Sequence, residues 1–149
     1  ACERPQALVD ATDIAEDALA LARANAARHG APVTFHCGAW YEPVPGRRFD
    51  LIVANPPYVA AADRHLAEGD LRHEPRRALT DGSADGLDSI RAIVAGAHAH
   101  LKSGGWLLIE HGYDQAEACR ALLEKAGFVE LLSIPDLAGI ARVAGGRCQ

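Results

Sequence analysis

The chain has 149 residues, 49% hydrophobic and 23% charged, which is ordinary for one globular domain and excludes a disordered or fibrous protein. A formal net charge of −5 argues against a nucleic-acid-coating protein, and no apolar run reaches the roughly 20 residues of a membrane-spanning helix. The four cysteines are scattered, which predicts reduced thiols in a cytoplasmic protein and neither a disulfide framework nor a metal site.

Short apolar runs alternate with helical patterns, which predicts an α/β domain with a largely parallel sheet. The predicted strands are 7–13, 33–37, 49–54, 106–109, 128–134 and 140–144. The predicted helices are 14–30, 87–101 and 114–126. Asp13 with Glu16 resembles a capping box at the start of the first helix. Asp114 with Glu117 predicts the start of the third helix, and 103–105 predict the end of the second. The long segment 59–86 predicts a functional loop.

The segment 49–54 is almost continuously apolar, which predicts a central parallel strand buried on both faces. Asn55-Pro56-Pro57-Tyr58 follows it directly, and its two prolines stop the strand. Ligands of open α/β sheets bind at the carboxyl ends of the strands. We therefore expect this turn to form part of a binding site.

The residue types in the turn suit the methylation of a planar nitrogen. The side-chain oxygen of Asn55 and the carbonyl of Pro56 could each accept one N–H of a substrate NH2, which would aim the nitrogen lone pair. Proline cannot donate, and its fixed φ helps to place that carbonyl. Tyr58 offers a flat face for a planar amide or base. A sulfonium leaving group needs no strong base, so the rate would come from proximity and alignment.

The sequence resembles class I S-adenosylmethionine-dependent methyltransferases, and within them the release factor glutamine methyltransferases (PrmC/HemK family). The stretches that carry the resemblance are 13–19 with Asn25, 49–58, Gly69-Asp70-Leu71-Arg72 with Glu74-Pro75 and 78–79, 104–105 with Glu110-His111-Gly112, and 136–139 with 142–143. They occur in the family's order through nearly the whole chain. The turn 55–58 is shared with DNA and RNA amino-methyltransferases, whereas the Gly-Asp-Leu-Arg loop and the Glu-His-Gly strand end are more selective.

The resemblance implies a Rossmann-like fold, S-adenosylmethionine as methyl donor, and class 1 peptide chain release factors as partners in translation termination. The substrate would be the glutamine of their Gly-Gly-Gln loop, held by 55–58, with Asn55, Pro56 and Tyr58 as the catalytic residues. Asp13 would bind the ribose hydroxyls of the cofactor. Ile14 would pack on its adenine, and Trp40 and Asn55 would complete the cofactor site. Glu74 could line the substrate channel, and Glu110 and His111 are expected to shape the strand end.

The family's glycine-rich loop and first strand have no counterpart in these residues, and neither has its N-terminal helical domain. Gly82–Gly86 and Gly145-Gly146 are interpreted as turns in another context. In the family's strand order, 3-2-1-4-5-7-6, the strand without a counterpart is the central one. Residues 1–149 are thus expected to form a partial catalytic domain with two unpaired strand edges, and by themselves to bind S-adenosylmethionine poorly and to be inactive.

Two alternatives stay open. One is amino-methylation of DNA or RNA at adenine N6 or cytosine N4, which the net charge and the acidic stretch Glu68-Gly69-Asp70 disfavour. The other is a degenerate, non-catalytic domain, which the intact turn 55–58 disfavours. The oligomeric state does not follow from the sequence.

Overall fold

The computed structural model describes residues 1–67 and 73–149, which form two compact units, Ala1–Arg47 and Arg48–Gln149. The stretches Glu68-Gly69-Asp70 and Gly69-Asp70-Leu71-Arg72, used in the sequence predictions, lie outside the described residues. Within the described part of the chain, no helix is long and apolar enough to cross a membrane.

The first unit is a strand–helix–strand motif. Strand β1 (Val9–Asp13) leads into helix α1 (Glu16–His29), and strand β2 (Val33–Cys37) returns parallel to β1. The helix ends where Gly30 takes a left-handed conformation, with φ of 61°, that glycine adopts without steric cost.

A buried carboxylate ties this first unit together. The Asp10 side chain, on β1, accepts hydrogen bonds from Nε2 of His36 on β2 at 2.7 Å and from Nη1 of Arg47 at 2.5 Å. The two donors supply hydrogen bonds to a carboxylate that is almost inaccessible to water. A buried carboxylate is tolerated in a folded protein when it has such partners.

The second unit is a four-stranded mixed sheet with helices packed on it. Its elements are β3 (Phe49–Ala54), a 3-10 turn (Arg64–Ala67), α2 (Arg76–Leu79), α3 (Asp88–His100), β4 (Leu101–Glu110), α4 (Ala116–Lys125), β5 (Val129–Pro135) and β6 (Ala141–Arg147). The strand order is β3-β4-β6-β5. Strand β3 pairs parallel with β4, whereas β6 runs antiparallel to both β4 and β5.

The core of the second unit lies between its helices and its sheet. Ile90 and Ile93 of α3, Leu107 and Ile109 of β4, and Leu123 of α4 are all buried. Gly145 of β6 allows a close approach in this core, because a Cβ there would lie 2.5 Å from a methyl carbon of Leu108. Full burial of a Leu or Ile side chain contributes about 1.5–3 kcal/mol, so this cluster stabilises the sheet that carries the turn 55–58.

The α/β class and most predicted elements are confirmed. Strands 33–37 and 49–54 have the predicted bounds, and the observed β1, β4, β5 and β6 overlap their predictions. Strand β1 begins at Val9, two residues later than the apolar run suggested. Among the described strands, β1-β2 and β3-β4 pair parallel, whereas β4-β6 and β5-β6 pair antiparallel. The prediction of a largely parallel sheet is therefore correct for two of these four pairs. Segment 59–86 contains the 3-10 turn and α2 where the sequence predicted a loop.

The predicted helix starts are wrong in their caps. The N-cap of α1 is Ala15 and that of α4 is Gln115, and neither side chain makes a capping hydrogen bond. The carboxylate of Asp13 instead accepts the N–H of Ala15 at 2.7 Å. A short acidic side chain can satisfy a nearby amide in an Asx-type turn as well as at a cap, so the spacing alone could not distinguish the two.

Two glycine interpretations are corrected as well. Residues 103–105 do not stop α3, because the helix already ends at His100 and β4 begins at Leu101. Gly145 and Gly146 lie within β6 and do not form a turn. In both places the glycines belong to strands that approach other backbone closely, a role that leaves no separate signal in a single sequence.

The prediction that 49–54 is buried on both faces is also wrong. Leu51 is 52% exposed and Val53 is 68% exposed, and their alternation places both on the same face of β3. Among the described residues β3 pairs only with β4, and β1 only with β2. An apolar run predicts a strand correctly, but the burial of each face depends on what packs against it.

Candidate functional site

The turn Asn55-Pro56-Pro57-Tyr58 leaves the carboxyl end of β3, as the sequence predicted. Asn55 is exposed and Pro56 is buried. Among the described residues, none makes a hydrogen bond to the Asn55 side chain or to the Pro56 carbonyl. Within the described part of the chain, two acceptors on consecutive residues thus have no hydrogen-bond partner.

Tyr58 is held by its hydroxyl group. The side chain is half-buried, and Oη donates a hydrogen bond to Oε1 of Glu110 at 3.0 Å. Burial, and then the Glu110 carboxylate, raise the pKa of Tyr58, so the phenol stays protonated and remains a donor at neutral pH. Glu110 ends β4, which pairs parallel with β3, so the two strand ends meet at one edge of the sheet.

The chain beyond the turn is fixed by backbone hydrogen bonds. The N–H of Val59 donates to the carbonyl of Leu79 at 2.9 Å, and the N–H of Ala61 donates to that of Ser83, also at 2.9 Å. Segment 59–61 is thus attached to the end of α2 and the residues after it. The turn is anchored on its downstream side.

His111 has a structural role in this arrangement, in keeping with its expected part in shaping the strand end. The side chain is fully buried, and Nδ1 lies 2.8 Å from the Gly112 carbonyl. A carbonyl only accepts, so Nδ1 donates in this contact. Nε2 has no hydrogen-bond partner among the described residues.

The candidate cofactor residues Asp13, Ile14 and Trp40 belong to the first unit. Asp13 ends β1, and its exposed carboxylate is oriented by the Ala15 N–H. The carbonyl of Asp13 accepts the N–H of Gly38 at 3.0 Å, so the segment that follows β2 begins beside the end of β1. The parallel pairing of β1 and β2 brings both segments to one edge.

This edge carries exposed apolar side chains as well as a carboxylate. Ile14 is 67% exposed and Trp40 is 36% exposed, so two apolar side chains remain open beside an exposed carboxylate. A carboxylate suits the hydroxyls of a ribose, and apolar and aromatic faces suit a purine. Trp40 has φ of 47°, a left-handed conformation that is costly for a bulky residue.

The structure describes the two groups of predicted site residues within separate units. Glu74, proposed for a substrate channel, is exposed in the second unit. Sequence reasoning missed Gln115, whose buried side chain bonds the Tyr58 carbonyl. Gln115 lies three residues after Gly112, a spacing that is compatible with a local side-chain hydrogen bond. That spacing does not predict a bond to Tyr58, which is distant in the sequence.

Solved methyltransferases share this fold. The ribosomal protein L11 methylase of Lactobacillus delbrueckii subsp. bulgaricus superposes with a TM-score of 0.64 over 95% of this chain and 58% of its own, at 21% identity. The N-methyltransferase NodS of Bradyrhizobium japonicum, solved with S-adenosyl-L-homocysteine, gives a TM-score of 0.61 over 95% of this chain and 66% of its own, at 17% identity. The architecture is an α/β methyltransferase-like fold, as predicted.

The chain belongs to the Methyltransferase small domain family, which matches residues 1–84. It is 55% identical to the release factor glutamine methyltransferase of Xylella fastidiosa, over 99% of this chain and 54% of that protein. The enzyme of the same name from Bordetella pertussis is 56% identical over 95% of this chain and 53% of its own length. The chain therefore spans about half the length of these relatives, and the predicted resemblance is confirmed.

Proposed function

We propose that this chain supplies catalytic residues of a release factor glutamine methyltransferase. The reaction transfers a methyl group from S-adenosylmethionine to the side-chain nitrogen, N5, of the glutamine in the Gly-Gly-Gln loop of class 1 peptide chain release factors. The observation that carries the proposal is the pair of acceptors on Asn55 and Pro56, which have no hydrogen-bond partner among residues 1–67 and 73–149, beside a Tyr58 that Glu110 fixes. The high identity to enzymes of that name supports the choice of substrate.

The turn can activate an amide that is otherwise a poor nucleophile. Asn55 Oδ1 and the Pro56 carbonyl each accept one N–H of the glutamine side chain, which sets the nitrogen lone pair perpendicular to the plane of those contacts. The ring of Tyr58 supports the planar amide. A new N–C bond forms as the S–C bond of the sulfonium breaks, and the nitrogen then loses one proton to water.

Asp13, Ile14, Trp40 and Asn55 are proposed to hold the cofactor. The Asp13 carboxylate accepts hydrogen bonds from the ribose hydroxyls, and Ile14 and Trp40 cover the adenine. S-adenosylmethionine supplies an activated methyl group and a good leaving group, so these residues only need to bind and align it. Their exposure at the ends of β1 and β2 supports this role.

We further propose that residues 1–149 are a partial catalytic domain of the class I type. Its sheets are the β1-β2 and β3-β4-β6-β5 portions of the family's sheet, without the first strand and its glycine-rich loop. The single pairing of β1 and of β3 among the described residues supports this assignment. Weak cofactor binding by the 149 residues alone stays a prediction, and calorimetry that shows micromolar affinity would contradict it.

The proposed function is tested by methylation of a purified release factor with a full-length enzyme that carries this sequence. Mass spectrometry should locate one added methyl group on the glutamine of the Gly-Gly-Gln loop. Asn55→Ala removes one acceptor and should lower kcat by about 100-fold or more, the usual cost of deleting one aligned group at a reacting centre. Asn25→Ala, at an exposed position of α1, is the matched control and should retain full activity.

Two results would overturn the proposal. One is methylation of DNA or RNA and not of the release factor, and the other is full activity of Asn55→Ala. The first result would show that the substrate is a nucleic acid, and the proposed mechanism of the turn would still apply. The second result would show that Asn55 does not take part in the mechanism.

A further inference from the structure

We propose that Gln115 is the positioning residue for the substrate-binding turn. The inference rests on the proposed function and deepens it, because it names a residue that touches no substrate and yet sets where the turn lies. Gln115 is buried at the start of α4, in the same unit as the turn.

The side-chain amide of Gln115 joins three separate segments. Nε2 donates to the carbonyl of Tyr58 at 2.9 Å and to the carbonyl of Asp85 at 2.8 Å. Oε1 accepts the N–H of Gly112 at 2.8 Å. The turn after β3, the segment before α3 and the loop after β4 are therefore bonded to one group.

Two glycines lie directly against that group. A Cβ on Gly86 would lie 2.2 Å from the Tyr58 carbonyl oxygen and 3.0 Å from Nε2 of Gln115. A Cβ on Gly112 would lie 3.0 Å from Oε1 of Gln115. Both glycines are needed so that the main chain can approach the amide closely.

Gln115 does not act as a helix cap. It occupies the N-cap position of α4, yet its side chain makes no capping bond there. The three hydrogen bonds of its side chain go to main-chain atoms outside the helix. A role confined to starting α4 would not need these long-range bonds.

The pattern of donors and acceptors requires an amide. Two carbonyls and one N–H face the side chain, so the residue must donate twice and accept once, as a glutamine amide does. A glutamate of nearly the same shape keeps the contact to Gly112 and sets a carboxylate against two carbonyl oxygens. A methionine or leucine leaves all three backbone groups, of which the Gly112 N–H is buried, without this partner.

The consequence for catalysis is an effect on alignment. The Tyr58 carbonyl is two residues from the Pro56 carbonyl, which is the proposed acceptor for a substrate N–H. Release of this anchor lets the turn shift, and misplacement of a reacting group by about 1 Å can cost 100-fold in rate. Binding of the cofactor at Asp13, Ile14 and Trp40 should not depend on Gln115.

The test compares Gln115→Glu and Gln115→Met with a control of similar structural cost. His98→Leu removes comparable part-buried bonds, from Nε2 to the carbonyl of Ala126 at 2.8 Å and between Nδ1 and Sγ of Cys148 at 3.2 Å, neither of which involves the turn. In a full-length enzyme, we expect both Gln115 variants to lower kcat for release factor methylation at least about tenfold. The KM for S-adenosylmethionine should rise less than kcat falls, because only Asn55 of the four proposed cofactor residues lies in the turn. His98→Leu should keep kcat within about twofold at equal loss of Tm.

Hydrogen exchange provides a readout that does not depend on the substrate. The Gln115 variants should speed exchange at Tyr58, Val59 and Ala61 while β4 and β6 stay protected. Unchanged exchange there, or a fall in kcat no greater than that of His98→Leu, would overturn the positioning role. If the unmodified enzyme left release factors unmethylated, the proposed function would fail, and the exchange data would still decide the role of Gln115.

Discussion

The two units of the chain support their candidate sites in different ways. In residues 1–47, all of which the structure describes, the buried apolar side chains are Ala15, Leu19 and Val44, and the sheet has two strands. The second unit has a four-stranded sheet and a continuous core on α3, β4 and α4. A two-stranded sheet is marginal by itself, whereas three or more strands with a packed face can be stable.

This difference in packing between the two units matches the two roles proposed for them, which are positioning of the substrate nitrogen and binding of the cofactor. The proposed substrate turn is attached to the well-packed unit through Tyr58, Val59 and Gln115, so its geometry follows from the sheet of that unit. The proposed cofactor residues Asp13, Ile14 and Trp40 belong to a unit with few buried apolar side chains, in which Asp10 accepts hydrogen bonds from His36 and Arg47. A rigid nucleophile site is what an alignment mechanism requires.

The largest expected effect comes from removing core side chains in each unit. Leu107→Ala in the 149-residue chain should cost about 3–5 kcal/mol, because Leu107 is fully buried in the second unit. Leu19→Ala should cost less, since only Ala15 and Val44 are also buried and apolar in its unit. Urea unfolding measures both, and hydrogen exchange should show β1 and β2 less protected than β4 and β6 in the unsubstituted chain. Equal losses would contradict the contrast between the units.

An effect of intermediate size is expected at Trp40, where a substitution should change the affinity for the cofactor more than the stability of the fold. Trp40→Gly relieves the left-handed φ of 47° and should change stability by less than about 1 kcal/mol. Loss of the aromatic face should weaken S-adenosylmethionine binding by about tenfold, measured by calorimetry on a full-length enzyme. Glu130→Gly, at a second left-handed position with φ of 51°, is the matched control and should leave that affinity unchanged. Equal affinities for the two variants would remove Trp40 from the cofactor site.

The smallest expected effect is a pH dependence within the second unit. Hydrogen bonds from Arg91 lower the pKa of Asp85 from 3.8 to about 2. The folded-state pKa lies below the unfolded one, so this stabilisation is present above pH 4 and is lost as the pH falls through about 2. Asp85→Asn should therefore flatten the fall in Tm between pH 4 and 2. Glu124→Gln, at an exposed position of α4, is the control. If Tm falls as steeply in Asp85→Asn as in the unsubstituted chain, the pH dependence does not come from Asp85.

Particular residues show how far sequence reasoning reached. The apolar run 49–54 and the prolines that follow it predicted both β3 and the turn, because strand propensity and the loss of a proline donor act locally. The cap assigned to Asp13 was wrong, because its carboxylate had two local amides to choose between. Gln115 went unnoticed because its partners, Tyr58 and Asp85, are 57 and 30 positions away along the chain.

Patterns along the chain were enough to predict the α/β class, the strand that ends in Asn55-Pro56-Pro57-Tyr58, and the resemblance that the relatives confirm. Local spacing and backbone chemistry are sufficient for these. The exposed face of β3, the hydrogen bond from Tyr58 to Glu110 and the buried amide that joins three segments became visible only in the folded chain. Such features depend on which distant groups meet in space, and a pattern of neighbouring residues does not contain that information.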